Sequence, residues 1–392
     1  MRSSGWLLCS SAGLALSIAA APLPAQDDSF ELPASRAELE QRAARDSNDP
    51  AAHYNLALAL WNDDEYQRVY VELGLALRLD PRFAQAHLAL AYLPRAERRP
   101  RQGDSLPSDR RARLRDAHLE YSRALAIDPL VDFSISRVWL PPRPAYVYSS
   151  GWYAQMYDHF VQGYVDFYRG DYASAERRLA WLIHKTADPA KVPDDLRWFH
   201  GLAAAHLAHY DDAISDFDTL LVRSRRREHS DSVQQFVLRT AEYLYVLGVM
   251  EQKAGRADTA RALYEQAGEE DAGLFMAHVH LADMYEAQGV LGAAAAERAS
   301  AVNIAPDDAS LWLDLGLTLY KSGRLGEAET ALTQGRNVNQ RDARLAYVLG
   351  LTELALQRPD AARAALANAV ALAPSRYTQL IADARQHLAT LH

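Results

Sequence analysis

Between residues 241 and 374 the apolar positions of the chain recur at a spacing of 34. Segments beginning at Ala241, Phe275, Ala309 and Ala343 each carry leucine at the seventh place (Leu247, Leu281, Leu315, Leu349) and a small residue at the eighth (Gly248, Ala282, Gly316, Gly350). Each then meets a turn signal at Gly255, Gly289, Gly323 or Gln357 and resumes with alanine at the twentieth place (Ala260, Ala294, Ala328, Ala362). Small side chains let two helices approach closely, while glycine and proline, as at Pro306 and Pro374, mark the turns that end them. A unit of this length is a helix–turn–helix too thin to bury its own apolar face, so such units stack. One stretch pulls the other way: LWLDLGLTLY, 311–320, alternates apolar and other residues as a strand does. Its alanine-rich flanks, the GRLGEAETAL that follows and the repeat period predict a helix packed on two sides instead.

The same register runs, less regularly, through 50–82 (Leu56, Ala57, Ala76, Pro81) and 84–129 (Leu90, Ala91, Ala117, Tyr121, Ala124). It continues through 156–191 (Gly163, Gly170, Ala175, Leu179) and 194–227 (Gly201, Tyr210, Ala213, Phe217). The departures read as loops: PRAERRPRQGDSLPSDR, 94–110, lengthens the second unit by about 14 residues, and RSRRREHSDS, 223–232, lengthens a junction. The expected organisation is a leader at 1–25, a linker or helix at 26–48, two units over 49–129 and a connecting segment rich in proline and aromatics at 130–155. Two units over 156–240, four regular units over 241–374 and a capping helix over 375–392 complete it. In that last helix Leu380, Ile381, Ala384 and Leu388 share one side and cover the final unit.

This pattern resembles the tetratricopeptide repeat family, best over 309–340, where Trp312, Leu315, Gly316 and Ala328 are in place and Gln340 stands where the family has proline. The resemblance implies an all-α fold, a right-handed α-solenoid of about eight antiparallel helix pairs with a C-terminal capping helix. It also implies a concave groove lined by the first helix of each unit at about the second, fifth, ninth and twelfth to thirteenth places. Carried over residue by residue, those places are Tyr54, Trp61, Tyr92, Tyr157, Phe160, Tyr164, Phe167, Tyr168, Trp198, Tyr245, Tyr320 and Tyr347. The lysine and asparagine by which chaperone-binding members clamp a carboxylate are missing from the corresponding fifth and ninth places, so an acidic C-terminal peptide is not the expected ligand. An aromatic wall suits apolar, proline-rich or glycan ligands, because Tyr and Trp offer a flat apolar body with a polar tip. The competing reading is that these rings pack on neighbouring helices or on the chain's own loop. WLPPRPAYVYSSGWY, 139–153, is such a loop: Pro141, Pro142 and Pro144 keep it extended. It reads as a seam folded back on the third unit, or as a lid carrying Trp139, Pro141, Pro142, Tyr146, Tyr148 and Trp152.

Composition narrows the function. The chain of 392 residues is 49% apolar and 24% charged, with a formal net charge of -9. That balance argues against nucleic acid as a partner, since phosphates call for a concentrated excess of Lys and Arg. The basic clusters RAERRPR, 95–101, and RRARLR, 110–115, have acidic neighbours and read as solvated surface. At the N-terminus MR, the apolar run WLLCSSAGLALSIAAA and then PLPAQ follow the order of a secretory signal peptide, with cleavage expected after Ala25. An uncleaved anchor is the weaker reading, because a bilayer span needs roughly 20 apolar residues. The single cysteine, Cys9, lies in that leader, and no asparagine starts an N-x-S/T sequon. The expected protein is therefore periplasmic or secreted, of bacterial type, without disulfide, thiolate metal site or cysteine nucleophile.

Chemistry-bearing motifs are few. His200, His206 and His209 are the densest histidine group, but the helical steps from His200 turn through about 240° and 180°, which keeps them from one ion. His53, His87, His159 and His278 share the fourth place of their units, a repeat or more apart. GLTLYKS, 316–322, lacks the glycine before lysine of a phosphate loop, and pairs such as Asp63–Asp64 and Glu269–Glu270 fall at helix ends, where acids are common. The expectation is a non-catalytic protein–protein interaction scaffold of the cell envelope, with a protein or peptide partner, no metal, no cofactor and no membrane span after cleavage. The alternatives are a periplasmic glycan- or lipid-binding protein using the same groove, or a regulatory subunit of an envelope enzyme.

Overall fold

The computed structural model describes residues 35–96, 108–131, 152–228 and 240–391. The leader, the middle of the inserted loop and the prolines of the connecting segment, with Trp139, Tyr146 and Tyr148, lie outside the described residues. Among those residues the chain is all helix, with no strand. After α1 (Arg36–Arg45) come paired helices: α2 (Pro50–Asn62) with α3 (Tyr66–Leu79), and α4 (Ala84–Ala96) with α5 (Ser108–Ile127). Units three and four are α6 (Trp152–Tyr168) with α7 (Tyr172–Lys185), and α8 (Asp194–His206) with α9 (Tyr210–Glu228). Units five and six are α10 (Thr240–Lys253) with α11 (Ala257–Glu270), and α12 (Phe275–Ala287) with α13 (Leu291–Ile304). Units seven and eight are α14 (Ala309–Lys321) with α15 (Leu325–Val338), and α16 (Ala343–Ala355) with α17 (Pro359–Leu372); α18 (Thr378–Thr390) packs on the last pair. The alternating stretch at 311–320 lies in α14, where Leu311, Leu313, Leu315, Gly316, Thr318 and Leu319 are all buried. The alternation is what remains visible when a helix is covered on more than one side.

The seven pairs whose turns are described share one local chemistry. The first helix ends at a residue with positive φ: Gly170, Gly255, Gly289 and Gly323, but also Asp64, Ala208 and Gln357. The next amide then donates to the carbonyl five residues back, as in Arg256 to Glu251 at 2.9 Å and Arg324 to Leu319 at 3.0 Å. That bond satisfies a helix-end carbonyl and reverses the chain. The eighth-place glycine then lies directly against a large side chain of the second helix: Gly163 on Leu179, Gly201 on Phe217, Gly248 on Tyr264, Gly316 on Leu332 and Gly350 on Leu366. In unit six the corresponding residues are Ala282 and Arg298, a charge where the others place an apolar group.

A polar brace accompanies this packing. The fourth-place His53 meets Glu72 at 2.7 Å, Arg197 meets Asp216 at 2.9 Å and His278 meets Glu297 at 2.7 Å, each 19 residues apart. His87 meets Glu120 at 2.5 Å across 33 residues, the same brace lengthened by the insertion. The shared fourth place of these histidines is thus explained by helix pairing. His159, with arginine at the position opposite, stacks on Trp181 instead, centroids 4.2 Å apart.

The two ends of the array meet along one edge. Ser375 donates its amide and hydroxyl to the Asp46 carboxylate at 2.9 Å, Asn48 Nδ2 donates to the Leu372 carbonyl at 3.1 Å, and Arg376 Nε donates to Asp49 at 2.8 Å. Further along, Arg341 donates to the Ser47 carbonyl at 2.8 Å and Asn339 Nδ2 to the Leu79 carbonyl at 3.2 Å. Arg82 then pairs with Asp314 at 2.8 Å. The contacts run antiparallel: as residue numbers rise on the N-terminal side they fall on the C-terminal side.

Candidate functional site

The aromatic residues expected in the groove fall into distinct environments. Tyr54, Trp61, Tyr92, Phe167, Trp198 and Tyr245 are buried. Tyr164, Tyr168, Tyr320 and Tyr347 are half-buried, and Phe160 is 39% exposed. Tyr157 and Trp152 lie on α6, and their side chains are outside the described residues.

Units two to four bring the largest group together. Phe160 meets Tyr164 edge-on at 4.8 Å, Tyr164 meets Phe199 at 4.7 Å, and Phe199 meets the fully buried Phe167 at 5.1 Å. Tyr168 bridges Phe199 at 5.6 Å to Tyr92 at 6.0 Å, and Tyr92 reaches Tyr121 at 6.4 Å. Tilted edge-to-face pairs of this kind contribute about 0.5–1.5 kcal/mol each beyond the area they bury. The result is a braced aromatic ridge with one accessible end, Phe160. Burial, reinforced by the Asp195 carboxylate, holds the Tyr164 phenol well above its usual range, so it presents an O–H at neutral pH. Phe199 was not among the residues carried over from the repeat places; its neighbour Trp198 was, and that ring turns inward onto Phe217 at 5.3 Å and Tyr243 at 6.2 Å.

The remaining groove positions are dispersed. Tyr245 Oη lies 3.2 Å from His280 Nε2, and the His280 ring stacks on Tyr264 with centroids 5.0 Å apart. Burial pushes the Tyr245 phenol up and the His280 imidazole down to about 4, with Arg298 and Lys253 adding to the latter. That ring is therefore neutral, and its Nε2 shares a hydrogen bond with the tyrosine hydroxyl. At the C-terminal end burial, helped by Asp383 and Tyr320, raises the Tyr347 phenol to about 12. The Trp61 indole N–H is buried and has no acceptor among the described residues.

The three clustered histidines separate. His200 bonds Asp216 at 2.5 Å, His206 stacks on Tyr172 at 3.9 Å, and His209, beyond the end of α8, bonds Glu176 at 2.7 Å. Ligand atoms of Glu176, His209 and Asp212 lie within 4.8 Å of one another on the surface. The Glu176 bond, which also raises the His209 pKa, accounts for the closest of these approaches. Among the described residues no helix is long and apolar enough to cross a membrane.

With this geometry in view, the comparisons with known proteins bear mainly on the C-terminal half. Residues 291–339 and 313–377 match the profile of the tetratricopeptide repeat family. The protein stacks helix pairs into an α-solenoid, of which residues 291–377 match that family's profile, an architecture whose extended surface commonly holds other polypeptides. Partial structural likeness extends to the C-terminal part of a TPR repeat-containing protein from Cytophaga hutchinsonii, at 15% identity and TM-score 0.49, covering 59% of this chain and 87% of that one. It extends also to MamA, at 17% identity and TM-score 0.37, covering 44% and 93%. A thermophilic TPR protein of Thermus thermophilus aligns at 21% identity and TM-score 0.32, covering 51% and 98%. Comparison with curated proteins gives no match.

Proposed function

We propose that the protein is a non-catalytic scaffold of the cell envelope that holds a partner polypeptide against the aromatic ridge of units three and four. The observation that carries this reading is Phe160: a large apolar ring left 39% exposed at the end of an aromatic stack whose other rings are half-buried or buried. A ring held rigidly by its neighbours loses little entropy on binding, the property that makes aromatic residues anchors at protein interfaces. Export to the periplasm is part of the proposal and rests on the order of charged, apolar and small residues at 1–25.

The test is capture from an envelope extract by wild-type protein and by Phe160→Ala, with the captured partner then titrated as purified protein. A single stoichiometric partner, bound at least tenfold more weakly by the variant, supports the scaffold. A small molecule retained on purified protein in native mass spectrometry, with no polypeptide captured, replaces it by the glycan- or lipid-binding alternative. Periplasmic protein whose first residue is Gln26 supports the export part, and full-length protein in the cytoplasm ends it.

A further inference from the structure

The seam that joins the two ends of the array is made of charges and hydrogen bonds. Side by side, helices pack on their neighbours in sequence or the next but one, and no packing of comparable extent joins α1–α5 to α10–α18 among the described residues. The seam is complementary in both signs. Asp46 and Asp49 face Ser375 and Arg376, whereas Arg82, on the same N-terminal side, faces Asp308 and Asp314. Alternating complementarity fixes register and orientation, which a greasy contact does not.

The Arg82 end is a built seat. Arg82 Nη2 stands 2.8 Å from Asp314 Oδ2, its Nε donates to Ser310 Oγ at 2.6 Å, and Asp308 lies 3.9 Å away. Asp308 also caps α14, accepting from the Ser310 amide at 2.8 Å, so its carboxylate is fixed in place. Arg298 stands 3.7 Å from the same Asp314 Oδ2 and also pairs with Asp283. Arg298 is the residue that breaks the apolar pattern of the second helices. That departure supplies the positive charge that holds Asp314 beside Arg82. The seat lies at the start of the first helix of unit seven, on the side that the N-terminal block covers.

We propose that the N-terminal block, helices α1–α5, is a releasable clasp: Arg82 occupies an acidic seat formed by Asp308 and Asp314, and an arginine-bearing segment of a partner competes for that seat and opens the array. A clasp held by charges loosens as salt screens it, because the screening length falls from about 10 Å at 0.1 M to about 3 Å at 1 M. A clasp held by apolar burial would tighten under salting-out conditions. Arginine suits the seat because its planar fork can engage two carboxylates at once.

The experiment places spin labels at Gln41→Cys and Gln379→Cys, exposed positions on α1 and α18, in the full chain with Cys9→Ser. Pulsed dipolar spectroscopy then reads the distance between the two ends. A narrow, short distribution is expected at low salt. It should broaden and lengthen in 1 M NaCl, in the Arg82→Glu, Arg376→Glu double variant, and on addition of a tetra-arginine peptide. Asp308→Asn, Asp314→Asn protein, which keeps a helix-capping side chain at 308, should already show the long, broad distribution, and the peptide should not change it further. Unchanged distances across the salt series and in a charge-reversed variant of normal helicity overturn the clasp. If that variant loses helicity, the salt series of the parent chain decides. A parent chain that opens in salt but ignores the peptide overturns the arginine seat.

Discussion

Gly248 lies so close beneath Tyr264 that a Cβ on it would stand 2.6 Å from the ring. Tyr264 is held in place: it is fully buried, its hydroxyl donates to Gln252 at 2.7 Å, and its ring is stacked on His280. Gly248→Ala is therefore expected to cost about 1–3 kcal/mol through overpacking, despite alanine's better helix propensity. Gly292→Ala is the control, because nothing lies within 4 Å of a Cβ there. It should be neutral or stabilising by up to about 0.5 kcal/mol. Denaturant midpoints of the two variants, moving in opposite directions, check the pair.

The turns give a second sign reversal. Gln357 sits at φ 60 where four other units place glycine. Gln357→Gly should stabilise by about 1 kcal/mol and Gly323→Ala, at φ 76, should destabilise by a similar amount, since a left-handed backbone strains any residue with a Cβ. Differential scanning calorimetry should show the melting temperature rising for the first and falling for the second.

His280 gives a dependence on pH. Its folded pKa is depressed to about 4, chiefly by burial, against about 6.5 in an unfolded chain. A histidine of this kind contributes stability above pH 6.5, and that contribution is lost as pH falls toward and through 4. The total is on the order of 3 kcal/mol. Asp128, Asp283 and Asp308 are shifted up by burial and act in the opposite direction, so the comparison must be with a variant. His280→Gln, whose amide can still hydrogen-bond Tyr245, should lose less stability than wild type between pH 7 and 4.5 in urea titrations. Equal losses would remove His280 from the account.

Truncation before Thr378 tests the cap. It uncovers the faces of α16 and α17 on which α18 packs, including the fully buried contact of Ala384. An array whose terminal unit meets water through an apolar face becomes association-prone. Light scattering at rising concentration should show oligomers for the truncated chain and none for the complete one.

What the sequence made legible was whatever repeats locally. The leucine and glycine places, the turn at Gln357 and the shared fourth-place histidines all recur at fixed spacing because each unit solves the same packing problem. The aromatic site was only partly readable. A place rule says which residues leave the axis on one side, but it does not say that Trp198 turns in toward Phe217 while Phe199 joins the ridge. The pairing of residues 46–49 with 372–376 left no periodic trace, because contacts between such distant segments impose no period on either. The one hint was Arg298, a charge at an otherwise apolar place.

That seam also orders events in time. A row of neighbouring units can fold outward from any seed as it leaves the ribosome, N-terminal units first. The bond between Asp46 and Ser375 spans 329 residues, so it cannot form until almost the whole polypeptide has been made. The entropy lost in bringing the ends together grows only with the logarithm of the intervening length, which makes this step late without making it prohibitive. Until those last residues are present, Asp46, Asp49 and Arg82 lack the counterparts they meet in the finished array.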